Sequence, residues 1–179
     1  SYSTDILYKA LLIESNNAAG WVFAETLGTD KFINKLNEKA KAIGMSGASL
    51  GNPVGIDPGS DYKGNYASIN DLVVLAKYVN DNYPKIFETT RAKDAVITDT
   101  AGKNTYIASS TNKLLTDSTL LITIIGGKTG ETVESGKNLL LVFKKVPFPG
   151  YFISVVLNSK DNFEDTKTLA NAIYLAEQE

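Results

Sequence analysis

Two short groups of residues carry the chemistry in this sequence. Lys128-Thr129-Gly130 joins an ammonium, a hydroxyl donor and a residue without a side chain. An ammonium beside a hydroxyl suits a carboxylate, which accepts strong hydrogen bonds from charged and neutral donors. A glycine in a strand lets another backbone come close. The second group is Ser15-Asn16-Asn17, a hydroxyl and a carboxamide two positions apart at the end of a helical run. Taken singly, each has a plain structural explanation. The first reads as a solvated turn after a strand, and the second as Ser15 and Asn17 capping a helix that starts at Ala18. A cap and a catalytic role are compatible.

The missing residue types narrow the chemistry further. The 179 residues include no cysteine and no histidine. That removes thiol nucleophiles, disulfides, a Ser-His-Asp triad and an H-E-x-x-H zinc site within the chain. No metal and no cofactor is expected; a hydrolytic base has to be another residue type, and lysine is the natural candidate. The net charge of -2 comes from 18 basic and 20 acidic side chains mixed along the chain. No basic stripe tracks a phosphate backbone, so nucleic acid is not an expected partner. No apolar run approaches the ~20 residues that span a bilayer. The chain opens on Ser1 without a methionine, so the lack of a signal peptide excludes no location.

The elements that must position these groups can be read from periodicity. Ile6, Leu7, Ala10, Leu11 and Ile13 have helical spacing, broken by Glu14-Ser15-Asn16-Asn17. Further helices are expected from Ala18 to Gly28 and from Asp30 to Ile43, the latter stopped by Gly44. Residues 45–65 change to Gly, Ser, Asn, Pro and Asp, the composition of a long structured loop. Ser68 and Asp71 form a capping-box pattern before another helix, and Pro84 suits the first turn of a short one. Ala95–Thr98 and Thr105–Ala108 read as strands around a turn. Stronger strands follow at Leu120–Ile125, Asn138–Lys144 and Tyr151–Asn158, with short connections that favour antiparallel pairing. A last helix covers Glu164 to Ala176 and presents Leu169, Ala172, Ile173 and Leu175. The expectation is one α+β unit over residues 1–179, a helical lobe with a helix-backed antiparallel sheet.

The order S-x-N then K-T-G, in its context, resembles the serine-type D-alanyl-D-alanine carboxypeptidases of the penicillin-binding protein and β-lactamase superfamily. Leu11 to Ala19 is similar to their S-x-N helix junction, and Phe32 to Met45 to their next helix. Gly51-Asn52-Pro53-Val54-Gly55-Ile56-Asp57 looks like their N-P-x-G loop, and Tyr66 to Leu72 like their Y-S-x-x-D-L helix start. Thr111-Asn112-Lys113-Leu114-Leu115, Gly127 to Thr132 and Gly136 to Leu140 complete the match. The resemblance implies a β-lactamase/transpeptidase-like fold and a peptidoglycan stem peptide ending in D-Ala-D-Ala as substrate, with β-lactams as acylating ligands. It implies a bacterial cell-envelope location outside the cytoplasm. It assigns proton transfer to Ser15, a contact with the substrate amide to Asn17, and carboxylate binding to Lys128, Thr129 and Thr132. Gly130 lies at the substrate-facing edge, and the backbone N–H of Glu131 contributes to an oxyanion hole.

One part of the signature is not found. The family's nucleophile is the serine of an S-x-x-K upstream of S-x-N, and residues 1–14 contain none. The literal match Ser110-Thr111-Asn112-Lys113 falls where the family has a loop before K-T-G. These residues are therefore expected to lack the nucleophile helix and the two N-terminal strands of the family fold, and to be inactive alone. Tyr151–Asn158 then becomes an open sheet edge, able to pair with the missing N-terminal segment or with another copy. Two other readings use the same residues. One is a non-catalytic module that binds stem peptides. The other, a class A β-lactamase, fits less well, because that class has S-D-N and needs a glutamate loop for which no segment stands out.

Overall fold

The computed structural model describes residues 1–59 and 61–175. Helices α1 (Thr4–Ile13), α2 (Asn17–Leu27), α3 (Thr29–Ala42), α4 (Ile69–Asn82) and α5 (Pro84–Thr90) come first. The hairpin β1 (Asp94–Thr98) and β2 (Thr105–Ser109) follows, then a 3-10 turn at Lys113–Thr116. Strands β3 (Thr123–Thr132), β4 (Gly136–Lys144) and β5 (Phe152–Ser159) precede helix α6 (Asn162–Leu175). The Ser68–Asp71 capping box is present in full, and Pro84 is the first residue of α5. The expected helix end at Ala176 lies outside the described residues, as does the Leu175 side chain.

Strand β4 explains the layering. It pairs antiparallel with β3 on one side and β5 on the other. Its run Leu139-Leu140-Leu141-Val142-Phe143 has no polar residue, because a strand places alternate side chains on opposite faces and both faces are covered here. Leu139, Leu141 and Phe143 pack with Leu114 and with Ala170 of α6. Val142 packs the other way, with Ala76 of α4 and Phe87 of α5, and Leu140 joins that group. A third cluster ties α1 to the hairpin through Ala10, Ala19, Ile97 and Ala108. Among the described residues, β3 and β5 each have a strand neighbour on one side only.

Strand β3 is longer and later than its apolar pattern suggests. Leu120–Ile125 was the expected span, with Gly126 and Gly127 reading as a break. The strand instead starts at Thr123 and runs through both glycines and K-T-G to Thr132. The glycines answer to close packing. A Cβ on Gly126 would stand 2.4 Å from Phe87 Cβ, and one on Gly127 would stand 2.5 Å from the Leu140 carbonyl oxygen. A bulge falls between Ile124 and Gly126, and Thr90 Oγ1 of α5 accepts the Gly127 N–H there at 3.1 Å. Helix α5 therefore sits directly on the strand and fixes where Lys128 begins. Lys128 pairs across the sheet with Leu140, and Thr129 with Leu139, so the two side chains leave on opposite faces.

This contact yields the first expectation. Gly126→Ala forces α5 away from β3 and lowers stability by about 1–3 kcal/mol, measured as a lower urea midpoint. An unchanged midpoint would show that the close approach is not needed.

Candidate active site

The chain between α1 and α2 turns through a left-handed residue. Ser15 has φ 62, which costs a non-glycine residue about 1–2 kcal/mol. The Asn16 N–H donates to the Ala10 carbonyl at 3.1 Å, closing off α1. Asn16 Oδ1 accepts the Ala19 N–H at 3.0 Å, opening α2. Asn16 is thus the cap, where Ser15 and Asn17 had been expected, and the helix starts at Asn17 instead of Ala18. The reason is geometric: only the residue just before the first helical turn can reach that donor. Ser15 and Asn17 are left for other contacts. Asn17 is exposed, and its carboxamide has no hydrogen-bond partner among the described residues.

Ser15 Oγ accepts a hydrogen bond from Lys128 Nζ at 2.6 Å, across 113 positions of sequence. Lys128 Nζ also donates to the Thr129 carbonyl at 3.0 Å. Lys128 forms no ion pair among the described residues. Burial without a counter-charge disfavours the ammonium and pushes its pKa down to about 8. Near that pH a large fraction is neutral amine, able to take a proton from a hydroxyl as well as to give one.

The rest of K-T-G extends this corner. Thr129 Oγ1 shares a hydrogen bond with Thr111 Oγ1. No atom comes within 4 Å of the place a Gly130 side chain would occupy, so the strand is open to an approaching chain. Glu131 is exposed on β3. Thr132 Oγ1 bonds both the Ser135 hydroxyl, at 2.8 Å, and the Ser135 N–H, at 3.0 Å. Its hydroxyl is therefore engaged in the β3–β4 turn.

Ser15, Asn17 and residues 128–132 line one cavity of about 890 Å³. Pro53, Val54 and Ile56 also line it. That loop has no strand or helix ladder, and it is organised by Asn52, which is fully buried. Asn52 Nδ2 donates to the Ile56 and Lys63 carbonyls, and Oδ1 accepts from the backbone of Val54, Gly55 and Ile56. Asn65 clips the same loop by accepting from Gly51 and Asn52. Asp57 Oδ2 accepts the Glu134 N–H at 3.2 Å and ties the loop to the β3–β4 turn.

All seven residues singled out in the sequence therefore meet at one place. Sequence reasoning gave no place at the site to Thr111, Glu14 or Tyr106. Glu14 Oε1 accepts from Asn16 Nδ2 at 2.9 Å and from Tyr106 Oη at 2.6 Å. No sequence signal links Tyr106 to Glu14, 92 positions earlier. The S-x-x-K match at Ser110 is not a hydroxyl–lysine pair. Ser110 Oγ accepts the Asn112 N–H at 3.2 Å, Asn112 Oδ1 accepts from Leu114, and Lys113 Nζ lies over the Phe163 ring at 5.8 Å. Among the described residues, no cluster of acidic side chains is placed to hold a metal ion. None of their helices is long and apolar enough to cross a membrane.

Known proteins are similar to this chain in sequence and in fold. A family described as D-alanyl-D-alanine carboxypeptidase matches residues 1–161. The D-alanyl-D-alanine endopeptidase of Haemophilus influenzae is 35% identical over 144 residues, covering 79% of this chain and 46% of that protein. The D-alanyl-D-alanine carboxypeptidase DacF of Bacillus subtilis is 28% identical over 141 residues, covering 78% of this chain and 34% of its own length. The chain thus spans less than half of either curated relative. Among solved structures, a penicillin-binding protein of Listeria monocytogenes in its ampicillin-bound form superposes with a TM-score of 0.81 at 28% identity. It covers 95% of this chain and 67% of its own. A D-alanyl-D-alanine carboxypeptidase of Mycobacterium tuberculosis shares the fold, with a TM-score of 0.80 at 24% identity over 97% of this chain and 65% of its own. With the family matched across all but the last 18 residues and the fold shared with its solved members, this chain belongs to the D-alanyl-D-alanine carboxypeptidase family.

Proposed function

We propose that residues 1–179 are the substrate-recognising part of a serine-type D-Ala-D-Ala carboxypeptidase catalytic domain. The intact enzyme hydrolyses peptidoglycan stem peptides, and β-lactams acylate it, in the bacterial envelope outside the cytoplasm. The observation that carries this reading is the contact between Lys128 Nζ and Ser15 Oγ, beside the unpartnered Asn17 carboxamide. Lys128 and Thr129 hold the terminal carboxylate, with Thr132 beside them. Asn17 bonds the scissile amide or its neighbour, and Gly130 lets the peptide lie along β3. The Glu131 N–H supports the oxyanion as it forms. Ser15 passes a proton between Lys128 and the reacting group, a step helped by an amine whose pKa lies near 8.

The reacting serine is not among these residues; the intact enzyme adds it on an S-x-x-K helix. Removing the nucleophile from a concerted active site costs roughly a millionfold in turnover. Residues 1–179 alone are thus expected to form no covalent adduct with a fluorescent penicillin. A band on a denaturing gel at stoichiometric yield would refute the assignment of the nucleophile.

Recognition can be tested without turnover. Carboxylate binding requires the Lys128 ammonium, which in the free protein loses its proton near pH 8. The affinity for a peptide ending in D-Ala-D-Ala is therefore level below that pH. Above it, binding must take up a proton, and affinity falls by about tenfold per pH unit. Glu131, Lys137 and Asp161 line the same cavity. An NMR titration follows the change through the amides of Asn17, Thr129 and Gly130. If the C-terminally amidated peptide bound as well as the acid, carboxylate recognition by Lys128 would be ruled out.

The β5 edge is the place where the missing strands, or a second copy, would add to the sheet. Phe152-Ile153-Ser154-Val155-Val156-Leu157 is uncharged and free of proline and glycine, the composition that pairs readily through its backbone. Size-exclusion chromatography of residues 1–179 should show association that grows with concentration. A clean monomer at every concentration would count against it.

A further inference from the structure

The Ser15 hydroxyl is held by more than its own turn. We propose that Glu14 and Tyr106 are positioning residues for this site, locking Ser15 in its left-handed conformation so that Oγ faces Lys128. The inference rests on the role given to Ser15 above, yet it can be tested separately.

Ser15 is flanked by two residues whose side chains bond to each other. Glu14 Oε1 accepts from Asn16 Nδ2 at 2.9 Å, so a side-chain bridge spans the turn and closes a ring with Ser15 at its apex. The other end of the Asn16 carboxamide is occupied by the Ala19 N–H, which fixes its orientation. Within the turn, Asn16 alone holds the Glu14 side chain. Tyr106 does so from the hairpin, donating its hydroxyl to the same Oε1 at 2.6 Å. Tyr106 stands on β2, paired with Ile97, which is buried against α1. The anchor therefore belongs to a packed element and not to a loose loop. Donating this bond to the carboxylate raises the Tyr106 pKa to about 12, so the phenol stays a donor throughout the working range of pH. The chain from Tyr106 through Glu14 and the Ser15 turn ends at Lys128 Nζ, 2.6 Å from Ser15 Oγ. Without the ring, a serine at φ 62 relaxes toward extended backbone and its hydroxyl leaves the lysine.

Three variants separate positioning from charge and from general stability. Glu14→Ala and Glu14→Gln remove the same negative charge, but glutamine still offers an oxygen to Asn16 and Tyr106. Tyr106→Phe keeps the charge and removes only the anchor. Two quantities are read by NMR on the ligand-free protein: the Ser15 Cα and Cβ shifts, which report its backbone conformation, and the Lys128 Nζ titration midpoint. In Glu14→Ala and Tyr106→Phe the Ser15 shifts should move toward extended values. The Lys128 midpoint should fall by about half a unit or more as the ammonium loses an acceptor. Glu14→Gln should keep the Ser15 shifts of the parent protein and a higher Lys128 midpoint than Glu14→Ala.

Equal values in the alanine and glutamine variants would overturn the proposal. So would parent-like values in Tyr106→Phe, a conservative change that holds the fold if Glu14→Ala does not. A D-Ala-D-Ala peptide that fails to bind the parent protein would sink the functional reading alone, because the ring is measured without it.

Discussion

Lys128 has to be paired with oxygen. Its ammonium is enclosed between strand β3 and the α1–α2 junction with no carboxylate of the described residues in contact, and such a group persists only when its protons are hydrogen-bonded. Ser15 Oγ and the Thr129 carbonyl provide those acceptors. The first comes from the helical lobe and the second from the sheet. The contact therefore joins the two halves of the fold, and any shift of one against the other is felt at Nζ. Its electrostatic result follows from the same enclosure. Two neutral acceptors do not replace bulk water fully, so the lysine sits near pH 8 and becomes chemically versatile.

Two devices bring the partners to this distance, and they differ in kind. On the sheet side the device is steric. Gly126 lets α5 rest on β3, Gly127 lets the β4 backbone come close, and Thr90 Oγ1 accepts the Gly127 N–H. An unpaired buried N–H costs far more than the bond itself gains, so this small contact sets the register of everything after it. On the helical side the device is polar. The Ser15 turn is held by Asn16, Glu14 and Tyr106, groups that each satisfy one another. The cavity wall at Asn52 uses the polar strategy again, with one buried carboxamide serving several backbone groups in place of a ladder. Loops that must hold a shape without regular structure need such hubs.

How legible each feature was follows from its range. The helices at Thr4–Ile13, Thr29–Ala42 and Ile69–Asn82 and the strand at Gly136–Lys144 could be read from periodicity and caps, because those signals are local. The candidate site residues were picked out because Ser15, Asn17 and Lys128 to Thr132 occur in an order that resembles a known family, and they line one cavity. Strand β3 was misplaced because its glycines read as a break, and their real causes are tertiary contacts: Phe87, nearly forty positions away, against Gly126, and β4 against Gly127. The cap on α2 was given to Ser15 and Asn17 because all three residues of the triplet are good caps. Only the left-handed φ of Ser15 decides among them. Tyr106 was invisible for the same reason as Phe87.

The left-handed turn at Ser15 has a consequence for the Ser15–Lys128 contact. A serine in ordinary helix would direct its hydroxyl toward the backbone carbonyl one turn earlier, where it competes with the helix and serves no lysine. Placing it at φ 62 between two helices takes it out of that competition, at a cost that the neighbouring side chains must offset. The same turn leaves Asn17 as the first residue of α2, close to the helix N-terminus and with its carboxamide unspent. One backbone irregularity therefore presents both polar groups to the cavity. The spacing S-x-N has a physical reason as well as a familial one: the middle residue caps the helix, which frees the outer two.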